Sequence, residues 1–122
     1  MMDTPPISEA EWEVMKALWK HSPVSVNELS ATLMAVRKWH PKTVRTMVNR
    51  LARKKVVSST LVNGVFHYFP TVSQEQCSRQ ATESFVDRVF DGALTPMVAH
   101  LVKRRSFTQD ERRELLKLLK TK

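Results

Sequence analysis

The sequence predicts a mainly α chain with one small β-hairpin, organised as a compact helical module followed by a helical arm. Three observations carry this. Capping boxes open four segments, at Ser8–Glu11, Ser25–Glu28, Ser73–Gln76 and Thr108–Glu111; in each, a Ser/Thr and a Glu/Gln three residues on satisfy free backbone donors reciprocally. The apolar period changes from helical to strand-like after Lys55 and returns to helical after Ser73. With only 2 Gly and 6 Pro in 122 residues, little of the chain is left for loops.

The first helix spans about Glu9 to Lys20, with Trp12, Met15, Leu18 and Trp19 expected inside, and ends at His21-Ser22-Pro23. The second runs from Val26 to Val36 with Leu29 and Leu33 facing inward at i, i+4. Arg37 to His40 is a short connector, in which Trp39 reads as a core anchor. Pro41 then sits at a first helical position, where its missing N–H costs nothing. The third helix extends from there to about Lys54, with Val44, Met47, Val48 and Leu51 as its core stripe. Val56 to Val62 and Val65 to Phe69 are strand-like runs separated by Asn63-Gly64, the strongest short-range signal for a hairpin turn, because both central positions need φ > 0. Three helices followed by a hairpin is the order of a winged helix-turn-helix, with the hairpin as the wing.

Beyond Ser73 the chain turns helical again. One long helix covers Gln74 to Phe90, and Asp91-Gly92 ends it. Two shorter ones follow, from Pro96 (after Thr95) to Arg105 and from Gln109 to Lys120. Leu94, Met97, Val98, Leu101 and Val102 on the first, with Leu115, Leu116 and Leu119 on the last, are more apolar surface than a small winged helix can cover. A second copy of the same arm is the natural cover, so these residues are assigned to a dimer interface. The expected domains are a winged-helix domain at 1–72 and a helical dimerisation domain at 73–122.

Composition fits this. An apolar fraction of 42% with three Trp and five Phe supports a core for a domain of about 70 residues. A single Cys, Cys77, excludes an internal disulfide and suits a reducing compartment, where it reads as a small buried apolar residue. Neither a signal peptide nor an apolar run of about 20 residues is visible, so a soluble, cytoplasmic protein is expected.

The formal charge of +8 is local. From Leu29 to Gln74 there is no Asp or Glu, but there are eight basic residues: Arg37, Lys38, Lys42, Arg45, Arg50, Arg53, Lys54 and Lys55. Elsewhere 12 basic and 12 acidic side chains cancel. A basic stripe over a neutral body is the footprint of a nucleic-acid surface. On a helical wheel the third helix carries its apolar residues on one arc and Lys42, Arg45, Thr46, Asn49, Arg50 and Arg53 on the other, with Thr43 at the edge. This is what base reading requires. Arg bonds guanine O6/N7, Asn pairs with adenine N6/N7, and the Thr methyl packs on the thymine methyl. The N-terminal residues of a recognition helix approach base edges most closely. Lys42, Thr43, Arg45 and Thr46 are therefore assigned to bases or adjacent phosphates, with Asn49 and Arg50 next. Arg53, Lys54, Lys55, Arg37 and Lys38 are assigned to phosphates, and Asn63, Gly64 and His67 to contacts from the wing.

Two other readings remain open: a winged helix serving as a protein-interaction module, which calls for an apolar or mixed outer face, and an RNA-binding protein, which calls for exposed stacking aromatics. Phe66, Tyr68 and Phe69 are the aromatic candidates. Catalysis and metal binding lack a pattern: His21, His40, His67 and His100 are scattered without ligand spacing, Cys77 is alone, and there is no Gly-rich phosphate loop. No catalytic residue, metal or cofactor is expected.

The run Ile7-Ser8-Glu9-Ala10-Glu11-Trp12-Glu13-Val14-Met15, the segment Trp39-His40-Pro41-Lys42-Thr43-Val44-Arg45-Thr46 and the start Thr108-Gln109-Asp110-Glu111 resemble the penicillinase repressor (BlaI/MecI-type) family over nearly the whole chain. The resemblance implies a homodimeric winged-helix repressor that blocks transcription from a palindromic double-stranded DNA operator, as of a beta-lactamase or other antibiotic-resistance type gene. It also implies that the recognition helix starts at Pro41-Lys42-Thr43 and that the segment after Ser73 is the dimerisation arm. Members of the family are released from DNA by a regulatory protease that cuts between Asn and Phe. The corresponding bond here is His100-Leu101, a departure from that pattern. A copper-responsive branch carries a C-terminal Cys cluster, which Leu118 to Lys122 lacks.

Overall fold

The computed structural model describes residues 4–104 and 106–121. The chain forms two compact units, Met1–Ala81 and Thr82–Lys122. In the first, α1 (Glu9–Lys20) and α2 (Val26–Arg37) both begin with the predicted capping boxes. Ser8 Oγ accepts from Glu11 N at 3.2 Å while Glu11 Oε1 accepts from Ser8 N at 2.8 Å, and Ser25 and Glu28 repeat the exchange at 3.1 and 3.0 Å. The third helix, α3, spans Pro41–Arg53.

The face that α1 buries differs from expectation. Glu11, Val14, Met15 and Leu18 are the buried set, whereas Trp12 and Trp19 are only half-buried. The two indoles flank the core and pack against each other at 5.7 Å between ring centroids. Their polar N–H favours a rim position, and Trp19 Nε1 donates to Val72 O at 2.9 Å. Val14 and Met15 join Leu18, Leu29, Leu33, Val44, Val48, Leu51, Val56 and Val57 in one cluster, and Trp39 and Tyr68 pack partly buried against it.

The sheet has three strands rather than the expected two. A short β1 (Val24–Ser25) precedes α2, and β2 (Val57–Val62) and β3 (Val65–Pro70) form the hairpin, in the order β1-β3-β2. β1 pairs antiparallel with β3 through Val24↔Tyr68 and Ser25↔His67. The hairpin turns at Asn63 (φ 51°) and Gly64 (φ 77°), the two positive values that an Asn-Gly turn supplies at low strain. Its register sets Val57 opposite Pro70, Ser59 opposite Tyr68 and Leu61 opposite Phe66.

The fourth helix, α4 (Gln74–Phe90), starts with Gln76 N donating to Ser73 Oγ at 3.0 Å. Its first two turns belong to the first unit, so the division falls inside this helix and not ahead of it. Thr4 N and Oγ1 both donate to Gln80 Oε1, at 3.0 and 2.6 Å, and Gln80 Nε2 donates to Thr4 O at 3.2 Å. Cys77 is buried beside this tie, and burial pushes its thiol pKa up, against a smaller opposing bond from Thr4.

In the second unit α4 ends on two successive left-handed residues, Asp91 (φ 51°) and Gly92 (φ 82°), with Gly92 N donating to Val86 O at 3.1 Å and Ala93 N to Phe90 O at 2.9 Å. α5 runs Leu94–Arg104 and begins two residues ahead of Pro96, which sits in the first turn, where no intrahelical N–H bond is lost. The expected end at Arg105 lies outside the described residues. α6 (Gln109–Lys120) opens with the predicted Thr108–Glu111 box, at 3.1 and 2.9 Å. No described helix is long and apolar enough to cross a membrane.

Candidate nucleic-acid interface

The two faces of α3 are sharply different. Val44, Val48 and Leu51 are fully buried and fix the helix on the core. Lys42, Thr43, Arg45, Thr46, Asn49, Arg50 and Arg53 are exposed on the other side. Its entry is held by a cap the sequence reading did not name: His40 is the N-cap, and its Nδ1 accepts from Lys42 N at 3.1 Å. The first turn of α3 contains no acidic residue, unlike those of α1, α2, α4 and α6. The positive end of its dipole is left uncompensated, which favours an anion. Thr46 Oγ1 donates back to Lys42 O at 3.0 Å, so its hydroxyl proton is committed to the helix.

The connector ahead of α3 is set by Lys38, which closes α2 in the left-handed region at φ 57° with its N–H on Met34 O at 2.9 Å. Lys55, just past α3, is also left-handed, at φ 64°.

Two of the eight cations are turned to carboxylates of α1. Arg37 Nε donates to Glu13 Oε1 at 2.7 Å. Lys54 Nζ lies 2.6 Å from Glu11 Oε1 and 2.8 Å from Pro6 O. Glu11 is 1% exposed, so this is an internal tie between the start of α1 and the end of α3. The sequence assigns Lys54 to phosphate; in the structure its ammonium is held by Glu11 and Pro6 O instead, because a buried carboxylate that also caps α1 needs a counter-charge. Burial alone would raise the pKa of Glu11. The Lys54 bond, the Ser8 N–H and the Lys54 charge outweigh it and hold the carboxyl below its usual range. Bonds from Arg37 and Lys16 do the same for Glu13. Among the described residues, no carboxylate pairs with Lys38, Lys42, Arg45, Arg50, Arg53 or Lys55.

The wing and α3 together form a cleft of about 310 Å³, lined by Arg45 and Asn49 on one side and Val65, Phe66 and Tyr68 on the other, with the first turn of α2 at its end. Asn63 and Gly64 are exposed at the wing tip. His67 is half-buried and occupied locally: Nδ1 is 3.1 Å from Val65 O and Nε2 is 3.8 Å from Glu28 Oε1. Sequence reasoning thus placed the helix face correctly on the surface but missed His40, the inward turn of Lys54 and the position of Phe66 in the cleft. Only His40 left a local signal, two residues ahead of the N–H that it caps.

In the arm, none of the described residues of α5 and α6 is buried. Leu94, Val98, Leu101, Val102, Leu115, Leu116 and Leu119 are all exposed, and Met97 is half-buried. Phe85, Val89 and Leu118 are further exposed apolar residues that the sequence reading left out of the interface. Among the described residues no group of three or more His, Cys, Asp or Glu could hold a metal ion.

Comparison with known proteins places this geometry. The sequence model described as "Penicillinase repressor" matches residues 7–121. The penicillinase repressor of Bacillus licheniformis is 34% identical over 119 residues, covering 98% of this chain and 93% of the relative. The methicillin resistance regulatory protein MecI of Mammaliicoccus sciuri is 32% identical over 116 residues, covering 95% and 94%. Among solved structures, the monomeric form of Bacillus licheniformis BlaI in complex with the blaP half-operator superposes with a TM-score of 0.55 at 39% identity, over 62% of this chain and 93% of that one.

Proposed function

This chain belongs to the penicillinase repressor family, and we propose that it is a cytoplasmic transcriptional repressor that binds a palindromic duplex-DNA operator as a homodimer. The observation that carries the reading is α3: a fully buried Val44–Val48–Leu51 seam beneath an exposed face of Lys, Arg, Thr and Asn, inside a stretch without Asp or Glu. An interaction module would show an apolar or mixed outer face there. A similar solved protein holds a half-operator.

Lys42, Thr43, Arg45, Thr46, Asn49 and Arg50 enter the major groove, while Lys38, Arg53 and Lys55 neutralise phosphates. The arm pairs two such surfaces through Leu94, Met97, Val98, Leu101, Val102, Leu115, Leu116 and Leu119, so that the helices meet half-sites about one helical turn apart. Release by a protease cutting at His100–Leu101 requires local unwinding, since that bond lies inside α5.

The test is the salt dependence of binding to duplex DNA. With the six unpaired cations as the upper limit, the log–log slope reaches about −5 per half-site, at about 0.9 per phosphate. A slope near zero, or tighter binding to single-stranded RNA of the same sequence, overturns the reading.

A further inference from the structure

The wing is uncharged. From Val56 to Ser73 there is no Lys, Arg, Asp or Glu, so it cannot reach a phosphate with a formal charge. His67, the histidine near its tip, is directed to Glu28 and Val65 O. Yet the wing is not polar either. The register places Val57, Ser59 and Leu61 on the same sheet face as Pro70, Tyr68 and Phe66. At the base of that face, Val57 lies within the core and Tyr68 packs against it. Towards the tip the same face overhangs the helices, leaving Phe66 55% and Leu61 60% exposed.

Phe66 does not overhang empty surface at random. It lines the cleft whose other wall is Arg45 and Asn49, two residues of the basic face of α3. Phe66 therefore stands directly beside the helix face assigned above to the bases.

We propose that Phe66, backed by Leu61, is the DNA-contacting residue of the wing, and that it packs on deoxyribose beside the groove read by α3. The contact is apolar and fixes the wing against one strand without displacing counterions. Charge complementarity selects the occupant: the lining of the cleft carries Arg45 and no carboxylate, which suits a nucleic-acid backbone better than a second, equally basic copy of this unit. This inference rests on the DNA-binding reading above.

The experiment uses the full chain and a duplex selected by the wild-type protein from a random pool. Kd is measured by fluorescence anisotropy across a salt series for wild type, Phe66→Ala, Phe66→Leu and Leu61→Ala. These side chains are exposed, and thermal melts verify that the variants fold. Loss of a ring contact of this kind raises Kd about tenfold. The expected result is that rise for Phe66→Ala with an unchanged salt slope, a smaller rise for Leu61→Ala, and near-wild-type affinity for Phe66→Leu. An unchanged Kd for Phe66→Ala overturns the proposal, as does a loss accompanied by a shallower slope. Sedimentation without DNA supplies the other outcome: a weakened dimer in Phe66→Ala assigns the patch to a second copy and refutes the contact with sugar. Should wild type select no duplex at all, the DNA-binding reading itself fails, which is a distinct result.

Discussion

Replacing Lys54 by Met separates a structural tie from a phosphate anchor. In the native unit the Glu11 side chain is 2% exposed and that of Lys54 is 30% exposed, with 2.6 Å between their charged atoms. Removing one member of a fully buried pair costs about 3–5 kcal/mol, because a charge is left without compensation. Here Glu11 keeps the Ser8 N–H, and water can approach from the side that Lys54 vacates. The expected loss is therefore about 2–3 kcal/mol. For a domain of this size that lowers Tm by roughly 8–24 °C, at about 4–8 °C per kcal/mol. Urea unfolding followed by Trp fluorescence is the direct assay, since Trp12, Trp19 and Trp39 all lie in the first unit. The sign with pH follows from the depressed pKa of Glu11. In the unfolded chain Glu11 titrates near its ordinary value of 4.5, and in the folded chain below it. Its contribution is present in full above pH 4.5 and is lost as the pH falls through the lower folded value. In Lys54→Met that acid-side loss shrinks. The salt slope for DNA stays as in wild type, because this ammonium meets Glu11 and not phosphate. A variant of wild-type stability whose slope falls by about 0.9 refutes the reasoning.

On the outer face, Arg45→Ala is expected to lower discrimination at one base pair by about 1–3 kcal/mol, whereas Lys55→Ala weakens all sequences alike; binding-site selection with each variant distinguishes them. Thr46→Val keeps the methyl and loses only a hydroxyl committed to Lys42 O, so it should preserve the selected sequence, while Thr46→Ser should not. Lys38→Gly removes a side chain from a left-handed position and is expected to stabilise the unit by about 0.5–1 kcal/mol while making the salt slope shallower by about 0.9. A loss of stability in denaturant would show that the Lys38 side chain, and not its backbone, holds the turn. In the arm, Leu116→Glu places a charge in the proposed dimer interface and should weaken association about a hundredfold or more, read by sedimentation; an unchanged dimer removes Leu116 from it.

Features that depend on residues three or four apart were legible in the sequence. The boxes at Ser8, Ser25 and Thr108 and the Asn63-Gly64 turn are local chemistry, and the structure repeats them. The exposed basic face of α3 was legible for the same reason, since one helical period decides it. Features set by distant partners were not. β1 has two residues and no pattern of its own; it exists because β3 offers an edge to Val24 and Ser25. Glu11 looked like a cap alone, and its burial became visible only with Lys54, 43 positions on. Trp12 and Trp19 share an apolar stripe with Met15 and Leu18, yet the helix turns Val14 inward and leaves the indoles on the rim. The start of α4 is tied to the head of the chain by Thr4 meeting Gln80, a pairing across 76 positions. Phe66 obeyed strand alternation, but alternation does not say where a sheet outruns the helices beneath it.

The central claim is that α3 reads duplex DNA from the major groove. Methylation protection of guanine N7, on the duplex that the full chain selects from a random pool, tests it most directly. Protected guanines are expected in two clusters about 10–10.5 base pairs apart, with protection lost at one position in each cluster for Arg45→Ala. Tight binding with guanine N7 fully reactive, or protection of minor-groove adenine N3 alone, would contradict it.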